Sequence, residues 1–170
     1  MTKIRFNPFD AASIDEAIKR LDEKEREIEE NAAVLTQLLT DLGVRTAKDL
    51  VPVYTGEALN SIVGYMDGNR GVIQAGGYCK FIEFGTGVKG EAQSHPSAEW
   101  IAIMNWAYGV GGTIFTTKDG RTGWFYPADD GTWKFTEGMP SRPFMFDTAL
   151  ELKHKALEMA KEVFGGGGKG

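Results

Sequence analysis

The side chains that could do chemistry in this sequence are few and lie far apart along the chain. Cys79 is the only cysteine, which excludes an internal disulfide and a multi-cysteine metal site. Cys79 and His95 could form a nucleophile–base dyad, but the sequence supplies no third group to orient the imidazole. His154 stands between two lysines, where we expect a solvated ring. No zinc-ligand spacing is present, so we predict no catalytic residue and no metal site.

Glu83 is the one carboxylate embedded in an apolar run, between Ile82 and Phe84. A buried carboxylate could serve as a general acid, or backbone N–H groups could hold it in a structural role. No nucleophile or base is near Glu83 in the sequence, so we predict the structural role.

Residues 85–90 read Gly-Thr-Gly-Val-Lys-Gly and match the G-x-G-x-x-G fingerprint of dinucleotide-binding proteins. That motif binds a pyrophosphate only where it joins a strand to a helix within a βαβ unit. Residues 91–96 are too short and too broken for such a helix. We therefore predict that no nucleotide and no other cofactor binds there.

Composition excludes several classes of protein. A hydrophobic content of 42% is too high for a disordered chain. No apolar run is long enough to span a membrane, and the N-terminus lacks the apolar segment of a secretory signal, so we expect a soluble protein. A net charge of −5 disfavours a phosphate-binding surface, and we expect no specific nucleic-acid partner.

A long helix is the clearest element, and we predict it over residues 13–43. Ser13 and Glu16 fit a capping box at its start, and Gly43 suits a helix end. Apolar residues recur between them at alternating steps of four and three, broken only at Glu25, which indicates one narrow seam. They are Ile14, Ile18, Leu21, Ile28, Ala32, Leu35, Leu39 and Leu42. Residues 22–30 are nearly all charged, so we expect the second half to dock and the first half to project or meet another subunit. The alternative is an ordinary amphipathic helix that lies flat on its own domain.

Short elements separated by turn dipeptides follow the long helix. We predict strands at 59–65, 71–75, 113–117, 123–126 and 132–136, helices at 98–108 and 144–164, and a strand or short helix at 78–84. The fold class is α+β, with a small, mainly antiparallel sheet packed with a long N-terminal and a C-terminal helix. The predicted organisation is an arm (1–12), one domain (13–164) with an insertion of a short helix and β-hairpins (87–138), and a flexible glycine-rich tail (165–170).

Three segments together resemble the neck or tail-completion proteins of long-tailed bacteriophages, the minor tail components that join head to tail. Residues 52–62 resemble the family's Pro, Thr-Gly, Leu, Ser-Ile pattern, and residues 78–86 its Tyr followed by Glu-Phe-Gly-Thr. Residues 142–144 resemble the Arg-Pro-Phe opening of its last helix. Tyr54 departs from the family, which usually has aspartate there. The residues that carry the resemblance are Thr55, Gly56, Glu83, Phe84, Gly85, Thr86, Arg142, Pro143 and Phe144.

The resemblance implies a structural virion protein rather than an enzyme, one that forms a ring at the head–tail junction. Its partners would be copies of itself, connector or head-closure proteins, and tail tube or terminator proteins, with no membrane involved. It would occur in the virion, and in the host cytoplasm during assembly. Candidate subunit contacts are the loops 86–97 and 118–131 and the seam residues Ile14, Ile18, Leu21 and Ile28. Two alternatives are a coiled-coil adaptor unrelated to phage and a small cysteine-dependent hydrolase.

Overall fold

The computed structural model describes residues 4–53, 56–108, 114–128 and 130–165. The chain is α+β, with a long N-terminal helix, small antiparallel sheets and a C-terminal helix, as predicted. Thr55, residues 109–113 and residues 166–170, on which parts of the predictions fall, lie outside the described residues. The elements are α1 (Ala11–Leu50), α2 (Glu57–Asn60), β1 (Val63–Asp67), β2 (Arg70–Gln74), α3 (Cys79–Phe84), α4 (Gly87–Ala92), α5 (Ala98–Ile103), β3 (Phe115–Thr116), β4 (Thr122–Pro127), β5 (Trp133–Thr136) and α6 (Phe144–Gly165).

Helix α1 is longer than predicted at both ends. Asp10, not Ser13, is its cap, because the Asp10 carboxylate accepts the N–H of Ala12 at 3.2 Å. The predicted end at Gly43 is wrong. Gly43 is buried within the helix, where a Cβ would overlap the side chain of Ile73, so close packing explains the glycine. The helix ends at Leu50, before Pro52 disfavours the helical conformation of the residue preceding it.

The second half of α1 carries the body of the protein. Strands β1 and β2 form an antiparallel hairpin whose register runs from Val63↔Gln74 to Asp67↔Arg70. Gly64 lets this hairpin approach α1 closely, since a Cβ there would lie 2.5 Å from a methyl of Val44. The predicted strand at 59–65 begins later than expected because α2 occupies its first residues.

Helix α6 packs on α1 and runs antiparallel to it. Phe144, at its start, shares a core cluster with Ala47 and Val51, whereas Leu152 lies beside Gly43. Residues later in α6 therefore contact residues earlier in α1. Residues 11–30 of α1, here called the free half, are mostly exposed, and Ala17 is the one buried residue among them. No helix in the described ranges is both long and apolar enough to cross a bilayer.

The second sheet is separate from the first, with strand order β3-β4-β5 and antiparallel pairing. The sequence had suggested a single sheet. The second sheet lies within residues 87–138, which also contain α4 and α5. A loop was predicted where α4 lies, and α5 ends earlier than predicted. Asn105 follows α5 with φ +45°, a left-handed conformation that a helix cannot contain. Phe115, Phe125 and Phe135 pack together on one face, with ring centroids 5.3–5.9 Å apart.

Candidate functional site

Glu83 is buried at the end of α3, directly beside the start of α6. One carboxylate oxygen accepts the N–H of Met145 at 2.8 Å, and the other accepts the N–H of Phe146 at 3.0 Å. The first N–H groups of a helix have no partner within the helix, and negative charge is favoured there. Glu83 therefore caps α6 from a distant part of the sequence, which is the structural role that its apolar surroundings indicated.

His95 completes the environment of this carboxylate. Its Nε2 lies 3.2 Å from Oε1 of Glu83, and its Nδ1 accepts the N–H of Ser97 at 3.0 Å. Nδ1 also lies 3.2 Å from the Ser97 carbonyl oxygen, which has no proton to donate. Since the N–H of Ser97 points at Nδ1, the imidazole proton belongs on Nε2, which donates to Glu83. In this tautomer the ring donates to the carboxylate of Glu83 and accepts from the backbone of Ser97.

Aromatic rings enclose the pair. The His95 ring is 4.9 Å from that of Phe84, 5.6 Å from that of Trp100 and 5.1 Å from that of Phe146, measured between centroids. Burial raises the pKa of the Glu83 carboxyl, while the hydrogen bonds from the backbone and from His95 act in the opposite direction. The pKa of Glu83 is raised because the carboxylate is desolvated where it caps the start of α6.

The Cys79–His95 dyad, which the sequence left only as a possibility, does not form. Both ring nitrogens of His95 face Glu83 and Ser97, whereas the buried Cys79 thiol lies 3.4 Å from Oγ of Ser61 and 3.9 Å from a backbone carbonyl oxygen. His154 is exposed on α6, as predicted. Among the described residues, no three histidine, cysteine or acidic side chains are placed to share a metal ion.

The loop that matches the dinucleotide fingerprint is closed by the protein itself. The N–H of Gly87 donates to the carbonyl of Tyr108 at 2.6 Å, and the N–H of Gly90 donates to the carbonyl of Thr86 at 2.9 Å. The indole of Trp106 donates to the carbonyl of Gly85 at 3.1 Å. These N–H groups therefore donate to carbonyls of the chain. In a phosphate-binding loop they would point outward to the ligand.

The second and third resemblance segments are bonded to each other. The N–H of Arg142 donates to the carbonyl of Ile82 at 2.8 Å, and the Ser141 hydroxyl donates to the carbonyl of Glu83 at 2.5 Å. Thr86 exchanges backbone hydrogen bonds with Met139 at 2.9 and 3.1 Å. The start of the last helix is therefore fixed to the end of α3.

The first segment joins them through the core. The buried cluster contains Ala58 and Ile62 of the first segment, Cys79 and Ile82 of the second, and Phe144 of the third. Gly56 precedes α2 with φ +80°, and Gly85 has φ +75° with Ser141 N only 2.6 Å from where a Cβ would be. Both positions favour glycine because left-handed backbone strains other residues. The three segments meet around one core.

The candidate subunit contacts lie apart from this core, on the free half of α1. Ile18, Leu21 and Ile28 are 50%, 56% and 51% exposed, and Ile14 is half-buried. The structure brings these residues to one helix face, as their spacing predicted. Val34 and Leu38, expected to dock with the second half of the helix, are also exposed, because the buried face turns through Thr40 and Gly43 instead. Most of the described residues in the loops 86–97 and 118–131 are exposed, although α4 lies in the first and β4 enters the second.

Two features were not predicted from the sequence. The first is that His95 is the partner of Glu83, for which the sequence gives no sign beyond the small number of histidines, two in the chain. The second is that the face of α6 that carries Leu150, Leu157 and Phe164 is exposed, although these residues recur at intervals of seven. No protein-family model, no curated protein and no solved structure matches this chain.

Proposed function

We propose that the chain is a structural subunit of a long-tailed bacteriophage, a neck or tail-completion component that forms a ring at the head–tail junction. The observation that carries the proposal is the meeting of the three family-like segments in one core, with Glu83 of the second capping the helix that the third opens. Segments that resemble a family by chance have no reason to depend on one another for folding.

The surface of the chain supports an assembling subunit. A compact monomer of 18.6 kDa exposes about 8,200 Å² of accessible surface, whereas this chain exposes 12078 Å². The free half of α1 contributes to the difference, because its apolar seam lies in solvent. Surface of this kind is costly in an isolated protein and is buried when subunits associate.

In the proposed mechanism the subunit binds rather than catalyses. The body, held by the core and by the Glu83 cap, gives each copy the same shape, which a ring requires. The free half of α1 and the exposed aromatic residues of the second sheet supply contacts to neighbouring copies and to connector and tail proteins. The subunit would act in the virion and would assemble in the host cytoplasm.

The direct test is electron microscopy of lysates from a phage that lacks this gene, beside a complemented control. We expect filled heads and separate tails, which rejoin when the intact gene is supplied. Intact infectious particles without the gene would refute the neck role. The free helix seam would then favour the adaptor, and self-association of an isolated peptide of residues 11–42 would test that function.

A truncation tests the part that the free half plays in this assembly. Deleting residues 1–30 removes the seam but spares every residue of the buried core cluster, so the protein should fold. We expect the shortened subunit to be absent from particles. The matched control deletes residues 1–9 and keeps the Asp10 cap and the whole helix, and it should be incorporated normally. Normal incorporation of the longer deletion would exclude the free half as a contact.

A further inference from the structure

Two exposed apolar stripes lie on different helices of the chain. The first is the seam on the free half of α1, where Ile18, Leu21 and Ile28 are about half exposed. The second, here called the α6 stripe, consists of Leu150, Leu157 and Phe164, which are 41%, 66% and 44% exposed. Residues seven apart lie on the same side of a helix, so the three members of the α6 stripe form one line at intervals of about 10 Å, with Lys153, His154 and Lys161 between them.

The charged residues next to the two stripes differ in their prevailing sign. Three exposed acidic residues, Asp22, Glu25 and Glu29, lie within or along one side of the α1 seam, and the one lysine on its other side, Lys24, is already paired with Glu27. On α6, the exposed Lys153 and Lys161 lie three or four residues from members of the stripe, and one acidic residue, Asp147, lies three residues before Leu150. The α1 seam is thus mainly acidic at its flanks and the α6 stripe mainly basic.

The same charges oppose pairing of the seam with a second copy of itself. In a parallel pair, residues of the seam face their own counterparts, so Glu25 would meet Glu25 of the other chain. In an antiparallel pair the same flank of each helix comes together, which would bring Asp22 and Glu29 against their counterparts. Like charges in these positions destabilise a coiled coil. The seam is therefore suited to a different surface.

We propose that the free half of α1 of one copy lies on the α6 stripe of the next copy. The contact is head to tail, so each copy gives its helix to one neighbour and receives a helix from the other, and repetition closes a ring. The free half spans about 30 Å at 1.5 Å per residue, enough to reach across a neighbour.

This contact rests on the proposed ring, and complementation between two defective variants tests it. Leu21→Asp spoils the seam, and Leu157→Asp spoils the α6 stripe; both positions are more than half exposed, so both variants should fold, which circular dichroism checks. By sedimentation velocity of the concentrated full chain, we expect concentration-dependent association that each variant weakens about tenfold or more. An equimolar mixture of the two should regain a dimer, because it contains one intact seam and one intact stripe.

The matched control is Ile103→Asp, which charges an equally apolar and more exposed residue away from both stripes, on the rim of an apolar groove beside β2. It should associate as the wild type does, and a loss of association would place the contact in that groove instead. A monomeric wild type at every concentration, full association of Leu157→Asp, or a mixture that stays monomeric would each overturn the proposal. Microscopy of the gene-deleted phage reports on the neck role alone, so the two can fail separately.

Discussion

The imidazole of His95 donates its Nε2–H to the carboxylate of Glu83 at 3.2 Å, with both side chains buried. In the sequence, Glu83 precedes α4 and His95 follows it. Glu83 also accepts two N–H groups at the start of α6. One carboxylate thus joins three parts of the chain. All three of these contacts come from N–H groups that would otherwise lack a partner.

The first prediction concerns the stability that this carboxylate provides. Glu83→Gln keeps the size of the side chain but replaces one accepting oxygen with an NH₂ group that faces an N–H donor. We expect the free energy of unfolding to fall by about 2–4 kcal/mol, because a buried donor loses its acceptor. Urea unfolding followed by circular dichroism measures the change.

The control for that experiment is Glu151→Gln on the exposed side of α6. It removes the same charge where no buried group depends on it, and the free energy of unfolding should change by less than about 0.5 kcal/mol. Equal effects of the two substitutions would show that net charge, and not the Glu83 cap, accounts for the loss. A catalytic activity abolished by Glu83→Gln in a well-folded protein would contradict the structural role.

The second prediction is the pH dependence of the same comparison. Burial raises the folded-state pKa of Glu83 above the ordinary 4.5, so the folded protein binds this proton more tightly than the unfolded chain. The resulting contribution to stability is full below the unfolded pKa and is lost as pH rises through the folded pKa. The stability difference between the wild type and Glu83→Gln should therefore widen as pH falls from 7 toward 4.5.

One carboxyl contributes at most about 1.4 kcal/mol per pH unit to the slope of that difference. Unfolding curves at several pH values, with both proteins in the same buffers, cancel the titration of groups that do not interact with Glu83, so the difference reports the Glu83–His95 pair. A difference that narrows as pH falls would mean that the hydrogen bonds to Glu83 outweigh its desolvation.

The third prediction compares two glycines of the same backbone conformation. Gly138 and Gly131 have φ of +93° and +77°, so a Cβ strains both to a similar degree. At Gly138 the new atom would also overlap the carbonyl of Thr86, where the third segment joins the second, whereas nothing lies within 4 Å of Gly131. Gly138→Ala should lower the melting temperature clearly more than Gly131→Ala. The steric cost alone should be about 1–3 kcal/mol, and similar melting temperatures would show that this junction is loose.

The fourth prediction tests the hydrolase alternative through Cys79. The thiol is buried and lies by Ser61 and a backbone carbonyl oxygen rather than by a base. Its alkylation by iodoacetamide in the native protein should be roughly a hundredfold or more slower than in urea, because labelling requires local opening. Rapid native labelling that also removes a measured hydrolase activity would favour the enzyme.

Much of the fold followed from the sequence where local signals agree with the tertiary structure. The period of the α1 seam predicted the long helix, and the Asp67-Gly68-Asn69 turn predicted the hairpin of β1 and β2. The end of α1 was predicted wrongly, because glycine is common at helix ends but Gly43 lies within the helix. A Cβ at this position would overlap the side chain of Ile73. Such a contact cannot be read from neighbouring residues.

The candidate site could likewise be predicted only in part. The apolar neighbours of Glu83 indicated burial and a structural role, which its contacts now explain. Its partner His95 could not be predicted, because α4, which was expected to be a loop, brings the two together. On α6, residue type does not decide burial, because the apolar Leu157 is exposed whereas Thr148 is buried and donates to the carbonyl of Phe144 at 2.7 Å.

On the proposed function, the division of α1 into a docked half and a free half separates the part that keeps the subunit folded from the part that contacts its neighbours. Three of the four buried residues of the helix, Thr40, Gly43 and Ala47, lie beyond residue 30, whereas Ala17 is the one buried residue before it. A substitution at the exposed Ile18, Leu21 or Ile28 would then alter the choice of neighbour with little effect on folding. In a family built on this plan, residues 11–30 would diverge together with the surface they meet, while the second half would be constrained by its own core.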